Sequence, residues 1–336
     1  MVFPKVSIII PVFNGESYLR ETLDNIISQT YNNWELICVD DSSVDSSYSI
    51  LQEYGEKDPR IKVYKKKNES IAAKGVKFGL NYATGDYMMY SSQDDLFSTD
   101  LLEKNIKKAL ETDADYVLPV MKWFYGANDI RDGYVGLNGN IDITLTGREA
   151  LLLSLDWKIH GFGLLKMSLV KKTGWYDYGY DSDEYTTRVL FLNSNKIVFS
   201  DGVFYYRQNN PNAITRKFSI IQFDALETCF KLENLLIDNN FKSEDIFRMR
   251  RITYNRIIRG INEYFRNKPL IEKKERKKIR KLIKDSYHKL DRGFLSRKES
   301  KHLINKSFTV FLLYYYFLEQ KRSNPYFIKI LNICKF

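Results

Sequence analysis

Short apolar runs alternate with helical patterns along the first part of the chain, and two of those runs end in paired aspartates. That alternation constrains the fold more than any other feature. A strand, a helix and a second strand in series pack as a right-handed crossover, and repeated crossovers build a parallel sheet with helices on its faces. Val6 to Val12 is a β-branched run of strand length, and Trp34 to Val39 is a second that stops at Asp40-Asp41. Ile61 to Tyr64, Asp86 to Tyr90 and Asp115 to Val120 follow, and the middle one leads into Gln93-Asp94-Asp95. Apolar residues at helical spacing predict helices over Glu16–Thr30, Asp45–Tyr54, Ile71–Ala83 and Leu101–Glu111. Sheets of this kind bind ligands beyond the carboxyl ends of their strands, and both aspartate pairs fall there.

The later sequence changes character. Gly126 to Gly147 is rich in Gly, Asn and Asp and reads as a loop with one hairpin. Lys196–Phe199 and Val203–Tyr206 read as two strands. Past Phe218 the pattern is helical, over Ile220–Asn239, Ser243–Arg266, Ile271–Leu290 and Leu303–Gln320. This places a domain boundary near Arg216, with an α/β domain over 1–215 and a helical, basic domain over 216–336. The formal net charge of the whole chain is +10, and Arg266 to Lys301 alone holds fifteen Lys/Arg against five Asp/Glu. Such a segment suits a solvated helix face or an anionic membrane surface. The aromatic run Phe308–Phe317 extends the candidate membrane contact over 266–320. No recognised RNA- or DNA-binding module accompanies the charge, so no nucleic acid partner is expected. No run reaches the roughly 20 apolar residues of a transmembrane helix. The three cysteines are far apart, odd in number and lack metal-ligand spacing, and no signal-peptide pattern is present. Both features predict a cytoplasmic protein.

The aspartate pairs carry the chemistry. Mg2+ and Mn2+ take hard oxygen ligands, often one or two carboxylates completed by phosphates and waters. Asp94-Asp95 at a strand's carboxyl end can supply them. A cation held there would neutralise charge building on a diphosphate leaving group, and a further acid would take the proton of an attacking hydroxyl. Plainer roles are open to the same residues: Asp40-Asp41 as helix caps, Asp94-Asp95 as a turn, Asp183-Glu184 as acids at a helix start.

The run Val6-Ser7-Ile8-Ile9-Ile10-Pro11-Val12-Phe13-Asn14 resembles the opening of the family 2 inverting glycosyltransferases with the GT-A fold. So do Ser28-Gln29-Thr30, Val39 to Asp45, Gly79-Leu80 with Ala83 and Gly85-Asp86-Tyr87, and Gln93-Asp94-Asp95. Their order and spacing together are specific, and they span about residues 5–215. The resemblance implies an α/β GT-A fold, Rossmann-like with a mostly parallel sheet. It implies transfer of a sugar, with inversion, from a nucleotide-diphospho-sugar (commonly a UDP-sugar) to a hydroxyl of a glycan or lipid-linked acceptor. The implied cofactor is Mn2+ or Mg2+ and the implied setting is surface polysaccharide synthesis, at the inner face of the plasma membrane. Asp41 would bond the base, Pro11, Phe13 and Asn14 would line the nucleotide pocket, Asp94 would contact ribose or metal-bound water, and Asp95 would bind the metal. Lys74 and Lys77 would face the diphosphate. Trp157, His160 and Trp175 would border the acceptor, and Tyr205–Gln208 with Asn212–Thr215 would close over the diphosphate.

Three departures stand out. Ser92 replaces the first acid of the usual D-x-D-D stretch, and Gly75-Val76-Lys77 replaces a frequent Ala-Arg-Asn. The family's base sits six residues before a helical arginine, where this chain has Ser182 ahead of Arg188. The resemblance therefore points to Asp183 as base, then Glu184, then Asp181. Ser182 also keeps open an alternative, a non-catalytic nucleotide-sugar-binding protein on the same fold. A Rossmann oxidoreductase would need G-x-G-x-x-G after the first strand, where the chain has Pro11-Val12-Phe13-Asn14-Gly15-Glu16.

Overall fold

The five apolar runs form strands β1 (Val6–Val12), β2 (Trp34–Asp40), β3 (Ile61–Lys65), β4 (Tyr87–Tyr90) and β6 (Tyr116–Gly126). In this computed structural model, residues 3–179, 181–214, 216, 218–296 and 307–323 are described. The chain divides into two compact units, one of residues 1–178 and 182–214, the other of 179–181 and 215–336.

The first unit is built on one sheet. Besides the five runs it contains β5 (Leu96–Phe97), β7 (Asp129–Tyr134), β8 (Leu164–Lys166) and β9 (Ile197–Arg207). The order is β3-β2-β1-β4-β8-β6-β9-β5, with β7 hairpinned onto β6. β3, β2, β1 and β4 are all parallel, and β9 lies parallel to β6. β8 and β5 run antiparallel to their neighbours. Every residue of β2 is buried, as is all of β1 except half-buried Pro11, because helices cover both faces of a parallel sheet. On one face Ile8, Ile10 and Val12 join Leu19, Leu23 and Ile26 of α1 (Glu16–Ile27). α2 (Ser47–Lys57) and α4 (Leu101–Thr112) add Ile50, Leu51, Leu102 and Ile106 to that cluster.

The opposite face takes α3 (Ala72–Leu80), and its two inward glycines set how close it comes. A Cβ on Gly75 would stand 2.7 Å from Pro11 Cβ, and one on Gly79 2.7 Å from Ile9 Cγ2. The Gly75-Val76-Lys77 departure thus lets this helix lie against the end of β1.

The register fixes the functional edge. Val12 of β1 pairs with Asp40 of β2, and Ile9 pairs with Tyr90 of β4. Asp41 and Asp94-Asp95 therefore leave the sheet on either side of β1, at one edge.

Several elements differ from expectation. The two late strands are a single strand, β9, whose pairing with β6 shifts register between Leu118 and Val120. Ser200 to Gly202 stand opposite Pro119 alone at that shift, which interrupts the strand pattern. β6 runs on to Gly126 and pairs with β7, which forms the one hairpin expected in this stretch. α5 (Gly147–Leu155) follows a capping box in which Thr146 accepts from the Glu149 N–H and the Glu149 carboxylate accepts from the Thr146 N–H. α6 (Met167–Thr173) and α7 (Ser182–Asn193) complete the unit.

The second unit is helical: α8 (Ala225–Asp238), α9 (Ser243–Asn267), α10 (Lys273–Lys289) and α11 (Phe308–Ser323). Phe230, Tyr254, Ile257, Ile261, Ile279, Ile283, Tyr287 and Phe311 form its core. α10 buries Ile279, Ile283, Ser286 and Tyr287 along one stripe and leaves most of its Lys and Arg side chains to solvent. Residues 297–306, including the expected start of the last helix at Leu303, lie outside the described residues, as do Thr215 and Cys334. Cys38 and Cys229 are buried free thiols.

Candidate functional site

The loops after β1 and β2 are laced together. Asn14 has a positive φ of 50°, which Asn tolerates better than most residues. Its Oδ1 accepts from the Val44 N–H at 2.9 Å, and its own N–H donates to Ser43 Oγ at 3.0 Å. The Gly15 N–H donates to Ser47 Oγ at 2.7 Å. Asn14 therefore braces the two loops against each other, while Phe13 is 45% exposed beside it. The side-chain amide of Gln93 both accepts from the Phe13 N–H at 2.8 Å and donates to the Phe13 carbonyl at 3.1 Å. This ties the β4 loop to the end of β1.

Asp41 is buried and charge-paired. Its Oδ1 accepts from Lys66 Nζ at 2.7 Å, and both carboxylate oxygens accept from the Glu69 N–H at 3.3 Å. Lys66 also meets Glu69 at 2.8 Å, and Glu69 meets Lys74 at 2.7 Å. Burial opposes the Lys66 charge, but the bonds to Asp41 and Glu69 outweigh it and raise its pKa. Lys74 thus ends a chain of alternating charge that begins at Asp41, and Lys77 pairs with Asp177 at 3.1 Å.

The second acidic pair is held from far along the chain. Asp94 Oδ1 accepts from Ser92 Oγ at 2.6 Å and Oδ2 from Asn210 Nδ2 at 2.6 Å. Asp95 Oδ1 accepts from the Arg207 N–H at 2.9 Å. The Arg207 guanidinium donates from Nε to the Asp94 carbonyl and from Nη2 to Glu21, and lies 4.5 Å from the Tyr18 ring centroid and 4.9 Å from that of Phe124. Asp95 Oδ2 is buried with no hydrogen-bond partner.

Glu35 provides a contrast within the same unit. It is equally buried, but accepts from Lys5, Lys62, Ser7 and Thr84. Burial disfavours its charge, yet the Lys62 and Lys5 ammonium groups hold its pKa well below the usual carboxylate range. For Asp95, burial and then the neighbouring Asp94 charge push the pKa up to about 8 against the weaker help of Arg207. A carboxylate built into a buried site with one oxygen bare and a second carboxylate beside it fits a hard divalent cation. Among the described residues no three ligand-type side chains gather around one point. The protein share would thus be one or two carboxylates, as suits a cation completed by phosphate and water.

The third acidic cluster begins α7. Tyr90, at the end of β4, is half-buried and packs 5.5 Å from Phe162 and 5.2 Å from Trp175, ring to ring. Burial, then the nearby Asp183 charge, raises its phenol pKa well above the ordinary value, with Glu184 adding to it. Asp183 is thereby brought near the strand that carries Asp94-Asp95. Glu184 forms an ion pair with Arg188 one turn on. Asp181 belongs to the second unit, where it accepts from Thr228 at 2.8 Å and pairs with Arg256 at 3.3 Å.

Two acceptor-side candidates are spent internally. His160 Nδ1 accepts from the Phe162 N–H at 3.2 Å, leaving Nε2–H to donate to the Pro119 carbonyl at 2.8 Å. Burial lowers its pKa to about 4. His160 thus stands as a neutral group with both ring nitrogens bonded within the protein. Trp175 is 6% exposed and sits edge-on to Tyr90, so it offers no open face to a sugar. Trp157 is half-exposed, with Arg188 5.3 Å from its ring centroid.

Sequence reasoning missed Lys66, Tyr90 and Asn210, quoted Gln93 only as part of the acidic motif, and named Arg207 only within the Tyr205–Gln208 stretch, without its bonds to Asp94 and Asp95. Tyr90 and Gln93 flank the acidic motif and were within reach of it. Arg207 and Asn210 carry no local signal, because their role comes from β9 ending beside β5 and the Asp94-Asp95 turn.

The family model for glycosyl transferase family 2 matches residues 7–174, half of the chain. Among curated proteins, glycosyltransferase GlyG of Streptococcus pneumoniae is 27% identical over 64% of this chain and 74% of its own length. GlyA of the same organism is 29% identical over 64% of this chain but only 32% of its own length. Among solved structures, residues 1–349 of S. aureus TarS in complex with UDP-GlcNAc superpose with a TM-score of 0.71 at 18% identity, covering 95% of this chain and 91% of that one. That likeness establishes the GT-A fold expected from the motifs. With the fold and the order of the motifs in agreement, the protein belongs to glycosyl transferase family 2 and is a glycosyltransferase.

Proposed function

We propose that the protein transfers a sugar, with inversion, from a UDP-sugar to a hydroxyl of a glycan or lipid-linked acceptor in surface polysaccharide synthesis. The bare, buried Oδ2 of Asp95 beside Asp94 carries this reading. The donor class draws support from TarS, solved with UDP-GlcNAc, and the setting from Bacillus subtilis TuaG, which is named for teichuronic acid biosynthesis and is 36% identical over 32% of this chain.

In this scheme Pro11, Phe13 and Asn14 line the nucleotide pocket, and Asp41, held by Lys66, accepts from the base. Asp95, with Asp94 beside it, would hold Mn2+ or Mg2+, and the cation would supply positive charge against that of the diphosphate. Asp183 takes the proton of the acceptor hydroxyl as its oxygen bonds to the anomeric carbon, and the bonding pair of the sugar–phosphate bond leaves with the diphosphate. Asp183 is preferred because its charge reaches Tyr90, at the end of the strand that leads into Asp94-Asp95. Residues 1–215 carry this chemistry as one domain. The helical domain over 216–336 holds the enzyme at the inner face of the plasma membrane through 266–320. Among the described residues no helix is long and apolar enough to cross a membrane.

The test is thermal melting with UDP, GDP, CDP and their sugars, with and without Mn2+, followed by assay for released nucleotide. A metal-dependent rise with one nucleotide, lost in Asp41→Ala and Asp95→Ala, is expected. No rise with any donor would sink the proposal. A rise without sugar release to any acceptor or to water would favour the non-catalytic binder that Ser182 keeps open.

A further inference from the structure

The basic segment contains a shaped feature. On α10, Arg280, Lys284 and His288 recur every fourth residue and so share a face. Across from them stand Ser307 and the first turns of α11, with Phe308 and Leu312, and between the two walls lies a cleft of about 550 Å3. The three basic side chains are exposed, and the two apolar ones half-buried. Phe311, fully buried in the helical core, roots the apolar wall. The His288 and Phe308 rings stand 6.1 Å apart, which sets the width at that end.

Among the described residues Arg280 and Lys284 make no ion pair. Elsewhere in the same unit basic side chains meet acids: Lys278 with Glu275, Arg250 with Glu233 and Asp291, Arg266 with Glu263. The positive end of the α11 dipole adds to the same field. An anion is therefore favoured in the cleft, and the Phe308–Leu312 wall favours an anion with an apolar body. Beyond that wall α11 exposes Val310, Leu313 and Tyr314, so the apolar surface continues outward.

We propose that the cleft between α10 and α11 seats the phosphate headgroup of a membrane phospholipid, with its acyl chain against Phe308 and Leu312. The proposal rests on the membrane contact inferred above and narrows it from a basic segment to one site.

The test uses the full chain and vesicles of phosphatidylcholine with or without phosphatidylglycerol. Two charge-matched double variants are compared: Arg280→Gln with Lys284→Gln in the cleft, and Lys277→Gln with Lys281→Gln on the same helix outside it. All four side chains are exposed, and unchanged melting checks the fold. The cleft variant is expected to weaken binding to the anionic vesicles by about tenfold, and the control by less than about threefold. Equal losses would overturn the cleft in favour of a diffuse basic face while leaving the membrane contact standing. Wild-type protein that ignores anionic vesicles yet still binds donor would overturn both the cleft and the membrane contact. Inorganic phosphate that displaces the protein from vesicles at ionic strengths where chloride does not would support a headgroup site. Phosphate binding without vesicle binding would overturn the lipid assignment.

Discussion

The main-chain N–H of Arg207 donates to Asp95 Oδ1 at 2.9 Å across 112 residues of sequence. The same residue's guanidinium holds the Asp94 carbonyl, so both aspartates of the pair are oriented from the end of β9. A lysine keeps the main-chain bond but cannot reproduce the planar fork. Arg207→Lys is expected to weaken Mn2+ binding by about tenfold or more, as loss of an orienting partner does around metal ligands. Titration of Mn2+ against melting temperature reads it, and an unchanged metal affinity would show that Arg207 is only a packing residue.

The contrast between Glu35 and Asp95 separates stability from function. Glu35→Ala strands the Lys5 and Lys62 charges at the far edge of the sheet and is expected to cost about 3 kcal/mol. Donor binding should survive wherever the protein remains folded. Asp95→Asn removes a carboxyl group whose charged form the fold does not satisfy, so the metal-free variant should be at least as stable as wild type while losing its response to Mn2+. Urea unfolding in chelator checks both, and a strongly destabilised Asp95→Asn would contradict the account.

The pH dependence follows from the direction of the Asp95 shift. Its folded-state pKa of about 8 lies above the unfolded value, which is about 3.9. Between those values the folded protein keeps a proton that the unfolded chain has released. Metal-free stability should therefore fall as pH rises through that window and level off above it. Glu35 works in the opposite sense: its depressed pKa gives stability at neutral pH that is lost under acid conditions. Mn2+ must displace the Asp95 proton, so its apparent affinity should rise about tenfold per pH unit below the folded pKa. Asp95→Asn should remove the decline between the unfolded and folded pKa values, and an unaltered profile would dismiss the shift.

Asp183→Asn keeps the shape of the α7 start while removing a base. Donor melting shifts should persist and transfer should drop by roughly a hundredfold or more. Glu184→Gln removes the partner of Arg188 and should lower stability with a smaller effect on turnover. If Glu184→Gln abolishes transfer while Asp183→Asn does not, the roles are reversed.

The first half of the sheet was legible because strands buried on both faces are written as unbroken apolar runs, and parallel crossovers leave little choice of arrangement. The aspartate pairs could be placed for the same reason, since the carboxyl end of each run is visible in the sequence. α5 was announced by Thr146 and Glu149, yet the Gly- and Asn-rich approach to them masked the start. β9 was split because Ser200–Gly202 carries a pairing irregularity in mid-strand. The fates of His160 and Trp175 depend on the Pro119 carbonyl and the Tyr90 ring, partners far away in sequence. Side-chain type alone could not distinguish a brace from a ligand-binding group.

β9 is among the last strands of the sheet to be made, yet it stands between β6 and β5. β5 has only β9 as its strand neighbour, and Asp95 directly precedes β5. On the ribosome, β1 to β4 emerge long before the strand that completes this edge. An emerging chain can join the loops after β1 and β2 while Asp95 still lacks its anchor. The Asp94-Asp95 turn is therefore anchored only when translation passes Arg207, so its geometry is completed together with the sheet.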